Sequence, residues 1–124
     1  MAREKYEIKE SKGSFHFNLK AGNGEIIGSS ESYTSKAACK EGIESVRKNA
    51  AVAKVEDQTV AGYTAEACPK FEVFTDKARE FRFRLKATNG QIILASEGYA
   101  VRAGCMNGIE SVRASAPDAE VTGG

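Results

Sequence analysis

The chain has no excess charge of either sign: 18 basic side chains stand against 17 acidic ones over 124 residues. That balance removes the bulk attraction by which a protein holds nucleic acid or an anionic membrane. No apolar run approaches the length of a membrane span. The opening stretch MAREKYEIKE has no apolar core, so a signal peptide is not expected there. Histidine occurs once, as His16, and no partners for a zinc site or a catalytic triad are suggested beside it. Cysteine occurs three times, at Cys39, Cys68 and Cys105, an odd number without metal-type spacing. Such a set favours reduced thiols in a cytoplasmic protein over a secreted disulfide scaffold. No metal and no cofactor is expected.

What the chain does have is a repeat. Residues 15–55 and 81–121 align without a gap: FHFNLKAGNGEIIGSSESYTSKAACKEGIESVRKNAAVAKV over FRFRLKATNGQIILASEGYAVRAGCMNGIESVRASAPDAEV. Self-similarity of this kind decides the architecture. Each copy alone buries too little surface to be comfortably stable, so both copies are expected to share one core in a single domain. Repeat one is assigned to 5–57, a linker to 58–69 and repeat two to 70–122, related by an approximate twofold.

Alternation of apolar and polar residues predicts strands at Lys5–Lys9, Phe15–Lys20 and Glu25–Ser30. Asn23-Gly24 is expected to close the second hairpin as a two-residue type I′ turn, placing Ile26 on the face of Phe17 and Leu19. After Thr34 or Ser35, either of which can cap a helix, the period becomes helical. Cys39, Gly42, Ile43, Val46 and Ala50 form a narrow apolar stripe. On the polar side Lys40–Glu44 and Glu44–Lys48 are expected to pair. Gly42 within the stripe suggests close approach of the sheet backbone. Lys54–Glu56 is a short fourth strand. The second copy repeats the order, with Asn89-Gly90 as its turn, a helix over 101–115 stopped by Pro117, and a frayed end at Gly123-Gly124. Each repeat therefore reads β-β-β-α-β. One helix per repeat covers one face of an antiparallel sheet and leaves the other to water.

The duplicated pattern FxFxLKAxNGxxIxxSExY followed by GIxSV resembles the YegP-like family of small bacterial proteins. It is carried by Phe15, Phe17, Leu19-Lys20-Ala21, Asn23-Gly24, Ser30-Glu31, Tyr33 and Gly42-Ile43, and by the second-copy counterparts Phe81, Phe83, Leu85-Lys86-Ala87, Asn89-Gly90, Ser96-Glu97, Tyr99 and Gly108-Ile109. The resemblance implies an α+β fold: tandem β(3)-α-β units in one sheet, with the last strand of each exchanged into the other. It implies no activity and no catalytic residues.

The residues themselves point the same way. Cys39 and Cys105 recur, but within the apolar stripe, where cysteine packs as a small hydrophobe. Gly22-Asn23-Gly24 precedes a strand, whereas a phosphate-cradling loop precedes a helix. Tyr33 and Tyr99 each precede a helix and are expected to lay their rings on the sheet edge with the hydroxyl in water. Phe81 and Phe83 interleave with Arg82 and Arg84, yet alternation sends them to opposite faces, which argues against an RNA-stacking platform. The expected binding face carries His16, Asn18 and Lys20 from one repeat and Arg82, Arg84 and Lys86 from the other. The second repeat, fully cationic there, is expected to dominate. Replacing its three cations by serine is expected to leave the fold intact. The function read from this is a non-enzymatic binding or interaction module. A weak nucleic-acid binder through the basic strand, and an enzyme with an unrecognised site, are the alternatives. The partner is an anionic molecule or a protein, with no membrane involved, and the state a monomer or a homodimer.

Overall fold

The structure, a computed structural model, describes residues 4–123. Gly124, half of the expected frayed end, and the first three residues of the opening stretch lie outside them. Repeat one forms β1 (Lys5–Ser11), β2 (Ser14–Lys20), β3 (Ile26–Ser29), α1 (Lys36–Ala50) and β4 (Lys54–Asp57). Repeat two forms β5 (Lys70–Thr75), β6 (Phe81–Lys86), β7 (Ile92–Ala95), α2 (Arg102–Ser115) and β8 (Glu120–Gly123). Ser35 caps α1, its hydroxyl accepting from the Ala38 N–H at 3.0 Å. The matching position before α2 is Val101, whose side chain has no oxygen to offer.

All eight strands make one sheet in the order β4-β5-β6-β7-β3-β2-β1-β8. The last strand of each repeat does cross over: β4 lies beside β5 and β8 beside β1. Both of these pairings are parallel, so the sheet is mixed and not antiparallel throughout as expected. A parallel neighbour needs a crossover where an antiparallel one needs only a hairpin, and residues 58–69 supply it between β4 and β5.

Both helices cover one face. α1 packs over β2, β6 and β7, and α2 over β6 and β3, so each helix spans strands of both repeats. Tyr6, Phe17, Leu19, Phe71, Phe83 and Leu85 meet Cys39, Ile43, Val46, Cys105, Ile109 and Val112 in a single core, all fully buried. Two arginines tie the exchanged strands down. Arg47 in α1 lies over the Tyr6 ring and donates to the Ala119 carbonyl, just before β8. Arg113 in α2 lies over Phe71 and donates to the Ala53 carbonyl, just before β4.

The Asn-Gly turns sit where expected but are of another kind. The Gly24 N–H donates to the Ala21 carbonyl at 2.9 Å and the Ala21 N–H to the Glu25 carbonyl at 2.9 Å, a three-residue loop. Gly24 takes the left-handed conformation at φ 87°, while the Asn23 carboxamide accepts from the Glu25 N–H. The Asn89-Gly90 loop repeats these bonds. A register shift follows, so that Leu19 faces Gly28 but Lys20 faces Ile26. Ile26 is thereby turned away from the Phe17–Leu19 face, and Ile27 is the buried residue.

Gly42 is not packed against sheet backbone as expected. A Cβ there would stand 2.7 Å from Tyr33 Cζ and 3.3 Å from Phe17 Cε2. The Tyr33 ring is half-buried and stacks on Phe17 with its hydroxyl over Gly42, rather than lying at the sheet edge. Gly108 accommodates Tyr99 and Phe83 in the same way. Gly42→Leu is therefore expected to lower stability by about 1–3 kcal/mol by displacing two stacked rings. A urea melt superimposable on that of the unmodified protein would refute the contact.

Candidate functional site

The face without helices carries the side chains that alternate away from the core. Strand register brings the six expected residues into it. His16, Asn18 and Lys20 stand on β2 opposite Lys9, Glu7 and Lys5; Arg82, Arg84 and Lys86 stand on β6 opposite Phe74, Glu72 and Lys70. The two sets lie on either side of β3 and β7, which meet at the single pair Ser29–Ala95.

The cations of the second repeat are not free. Arg82 Nε donates to Asp76 Oδ2 at 2.5 Å, Arg84 Nε to Glu72 Oε1 at 2.6 Å, and Lys86 Nζ lies 3.2 Å from Glu72 Oε1. Lys70 bridges Glu56 at 2.8 Å and Glu72 at 3.2 Å. Replacing Arg82, Arg84 and Lys86 by serine would strip Glu72 of two partners, so that exchange is not the neutral surface change expected from alternation alone. In the first repeat Glu7 is the one carboxylate beside Lys20 among the described residues, at 2.8 Å, with Lys9 more loosely placed on it at 3.5 Å. The free positive charge thus leans to the first repeat, opposite to expectation.

The layering of charge matters more than its sum. Glu56 and Glu72 keep 2% and 4% of their side-chain surface, whereas Arg84, Lys86 and Arg82 keep 31%, 25% and 39%. Carboxylates lie beneath and cationic heads point out. Burial pushes the Glu72 carboxyl up, but donors on Arg84, Lys70 and Lys86 outweigh it and hold the group below its ordinary range. Phe74 was missed as a member of this face. Its ring lies under the Arg84 guanidinium at 4.6 Å from centroid to carbon, so one aromatic does stand among the cations. Alternation along β5 from the buried Phe71 and Val73 puts Phe74 on this face. Its place beside Arg84 follows from the register of β5 against β6 set at the turn, where the Asp76 carboxylate accepts from the Ala78 and Glu80 N–H groups.

The other candidates serve the fold. Cys39 and Cys105 are fully buried, and burial pushes the Cys39 thiol up and that of Cys105 to about 11, away from thiolate. Glu44 pairs with Arg47 at 3.0 Å, not with Lys40 or Lys48 as expected, and Glu110 pairs with Arg113 at 2.7 Å. Among the described residues no three of His, Cys, Asp and Glu are grouped to hold a metal ion, and no helix is long and apolar enough to cross a membrane. On the helix side a polar groove of about 390 Å³ runs between α1 and the β6–β7 turn, past Glu41, Ser45, Asn49 and Asn89. The buried Asn49 side chain there is already engaged, donating to Ser45 and accepting weakly from Thr88.

A family model described as a domain of unknown function (DUF1508) matches this chain twice, over residues 10–57 and 76–122. A UPF0339 protein of Pseudomonas aeruginosa is 41% identical over 116 residues, 93% of this chain and 92% of that one. Two other UPF0339 matches are about one repeat long. One, in the ptx operon 5′ region of Stutzerimonas stutzeri, is 69% identical over 48 residues, 39% of this chain and 43% of that one. The other, in Treponema denticola, is 60% identical over 52 residues, 42% of this chain but 90% of that one. The solution structure of yegP from E. coli, a protein of unknown function, superposes with a TM-score of 0.78 at 36% identity, covering 99% of this chain and 94% of that one.

Proposed function

Since the chain belongs to the DUF1508 family, whose relatives above carry no activity in their names, we propose that it is a non-enzymatic interaction module. Its partner surface is the helix-free face of the sheet. The observation that carries this reading is the construction of that face. Eight strands from both repeats form one sheet, and on its open face charged side chains of β1, β2, β5 and β6 stand on either side of an uncharged centre at β3 and β7, with Arg84 and Lys86 outward of Glu72. The helix side is given over to the core. The duplicated thiols that could have served chemistry are buried within it, with thiolate disfavoured.

The test uses cations of this face that hold neither Glu56 nor Glu72: Lys5, Lys9 and Lys54. The triple variant Lys5→Ser, Lys9→Ser, Lys54→Ser is expected to melt like the unmodified protein, since surface changes of this kind usually fall within about 0.5 kcal/mol. In cross-linking from a lysate it should lose partners that the unmodified chain retains. A control with the same charge change on α1, Lys36→Ser, Lys40→Ser, Lys48→Ser, should keep them. Equal retention by the two variants would place the partner surface elsewhere.

A further inference from the structure

The inference rests on the interaction reading above and names its partner class. We propose that the seam of the open face binds single-stranded nucleic acid, with bases on its floor and phosphates along its walls. The register shifts in both repeats bring Ile26 to the side of Lys20 and Ile92 to the side of Lys86. With Ser29 and Ala95 between them, the floor along β3 and β7 is short-chained or apolar and carries no charge. β2 and β6 flank it, three strand spacings or about 14 Å apart at the seam. Their long side chains form the walls, Lys20 on one side and Arg82, Arg84 and Lys86 on the other. Arg82 leans inward, its Nη1 donating to the Ser96 carbonyl at 3.2 Å.

This arrangement separates apolar from cationic surface as a single strand separates base from phosphate. Wall residues two apart on β6 recur every ~6.6 Å, comparable to the separation of successive phosphates in an extended strand. Glu72, the carboxylate that balances Arg84 and Lys86, lies beneath them, so a phosphate approaching that wall meets guanidinium and ammonium first. Bases offer faces that need no hydrogen bonds, which suits an apolar floor. An extended acidic peptide would lay backbone N–H and C=O groups on that floor without partners, at a desolvation cost. A duplex encloses its bases and has no face to give. The near-zero net charge of the whole chain is no obstacle, because at Arg84 and Lys86 the balancing carboxylate is the buried Glu72 and the cationic heads are the exposed groups.

The test is a titration of the full chain with a short labelled oligothymidylate, read by fluorescence anisotropy and by amide chemical shifts. Shifts are expected at Ile26, Ser29, Ala95 and Ile92. For three phosphate contacts the affinity should fall roughly 10–20-fold between about 50 and 200 mM salt, at ~0.7 per phosphate on the logarithmic slope. Ala95 is exposed at the seam and has no part in any ion pair. Ala95→Glu should weaken binding roughly fivefold or more, and Ala95→Lys should tighten it, because position 95 lies beside Arg84 and the two charges act with opposite sign on a phosphate held at that wall. Equal effects of the two variants, shifts confined to the helix side, or equally tight binding of a polyglutamate peptide at the seam would each overturn the proposal. So would no binding at the lower salt. In that case the open-face reading still stands or falls on the cross-linking experiment, which does not use nucleic acid.

Discussion

Residues 1–60, expressed alone, are expected to remain unfolded, and to fold when mixed with residues 61–124. The first half on its own keeps β1 to β4 and α1, but β4 has lost β5, the strand it pairs with, and β1 has lost β8. Tyr6, fully buried in the whole chain, loses the Ala116 carbonyl that accepts its hydroxyl at 2.8 Å, and Arg47 loses Ala119. A one-repeat chain could in general recover such contacts by pairing with a copy of itself. Here the seam opposes that. Gly28 and Leu94 are equivalent positions of the two repeats, and a Cβ on Gly28 would stand 2.7 Å from Leu94 Cγ. Leu94 is fully buried and fills the space that Gly28 leaves. Two first repeats would face each other with a void, and two second repeats with two leucines in the space of one. Leu94→Ala in the whole chain should therefore cost about 2–5 kcal/mol. Exchanging the residues, Gly28→Leu with Leu94→Gly, should recover part of that loss. Sedimentation and circular dichroism of the separate and mixed halves decide the matter. A folded monomer of residues 1–60 would show that one repeat suffices. A homodimer as stable as the mixture would show that the seam does not discriminate.

Much of this was legible in the residues, and the limits have a common physical origin. Alternation tells which face a strand residue takes, and it placed Phe17, Leu19, Phe83 and Leu85 in the core and the six face residues outside it. The helix stripe through Cys39, Ile43 and Val46 was equally plain, because its period is set by one element alone. What alternation cannot tell is which strand lies alongside. The pairing of Arg84 with Glu72 depends on the turn at Asp76, and that of Lys70 with Glu56 on an exchanged parallel strand. The six residues do stand on one face of the sheet, but a cationic strip read from one strand is a set of ion pairs once its neighbours are in place. The misplacement of Ile26 is of the same kind. One extra residue in β3, invisible in an Asn-Gly signal that fits two loop lengths, moves a side chain from the core face to the open one.

Lys70→Met is expected to destabilise the protein by about 3 kcal/mol at neutral pH, and by less in mild acid. Glu56 and Glu72 sit side by side on parallel strands, both nearly buried, and Lys70 bridges them. Glu56 also accepts from Gln58 Nε2 at 2.6 Å and from the Glu66 N–H at 2.8 Å. Burial pushes its carboxyl up, but the bonds from Lys70, Gln58 and Glu66 outweigh burial and bring it down from 4.5 to about 2. A folded-state pKa below the unfolded one means stability that is present above the unfolded value and lost as pH falls from about 4.5 towards 2. Removing Lys70 reverses the balance. Two carboxylates then face each other with less compensation, desolvation and mutual repulsion raise their pKa values, and the folded variant takes up protons at a higher pH than the unfolded chain does. Protonation relieves the repulsion, so the deficit against the unmodified protein should shrink between about pH 7 and pH 5. The loss falls at the low end for a broken buried pair, because Arg84 and Lys86 still reach Glu72. Urea melts of both proteins at the two pH values measure the difference directly. A deficit that is the same at both would mean that Lys70 acts through the packing of its methylenes and not through its charge.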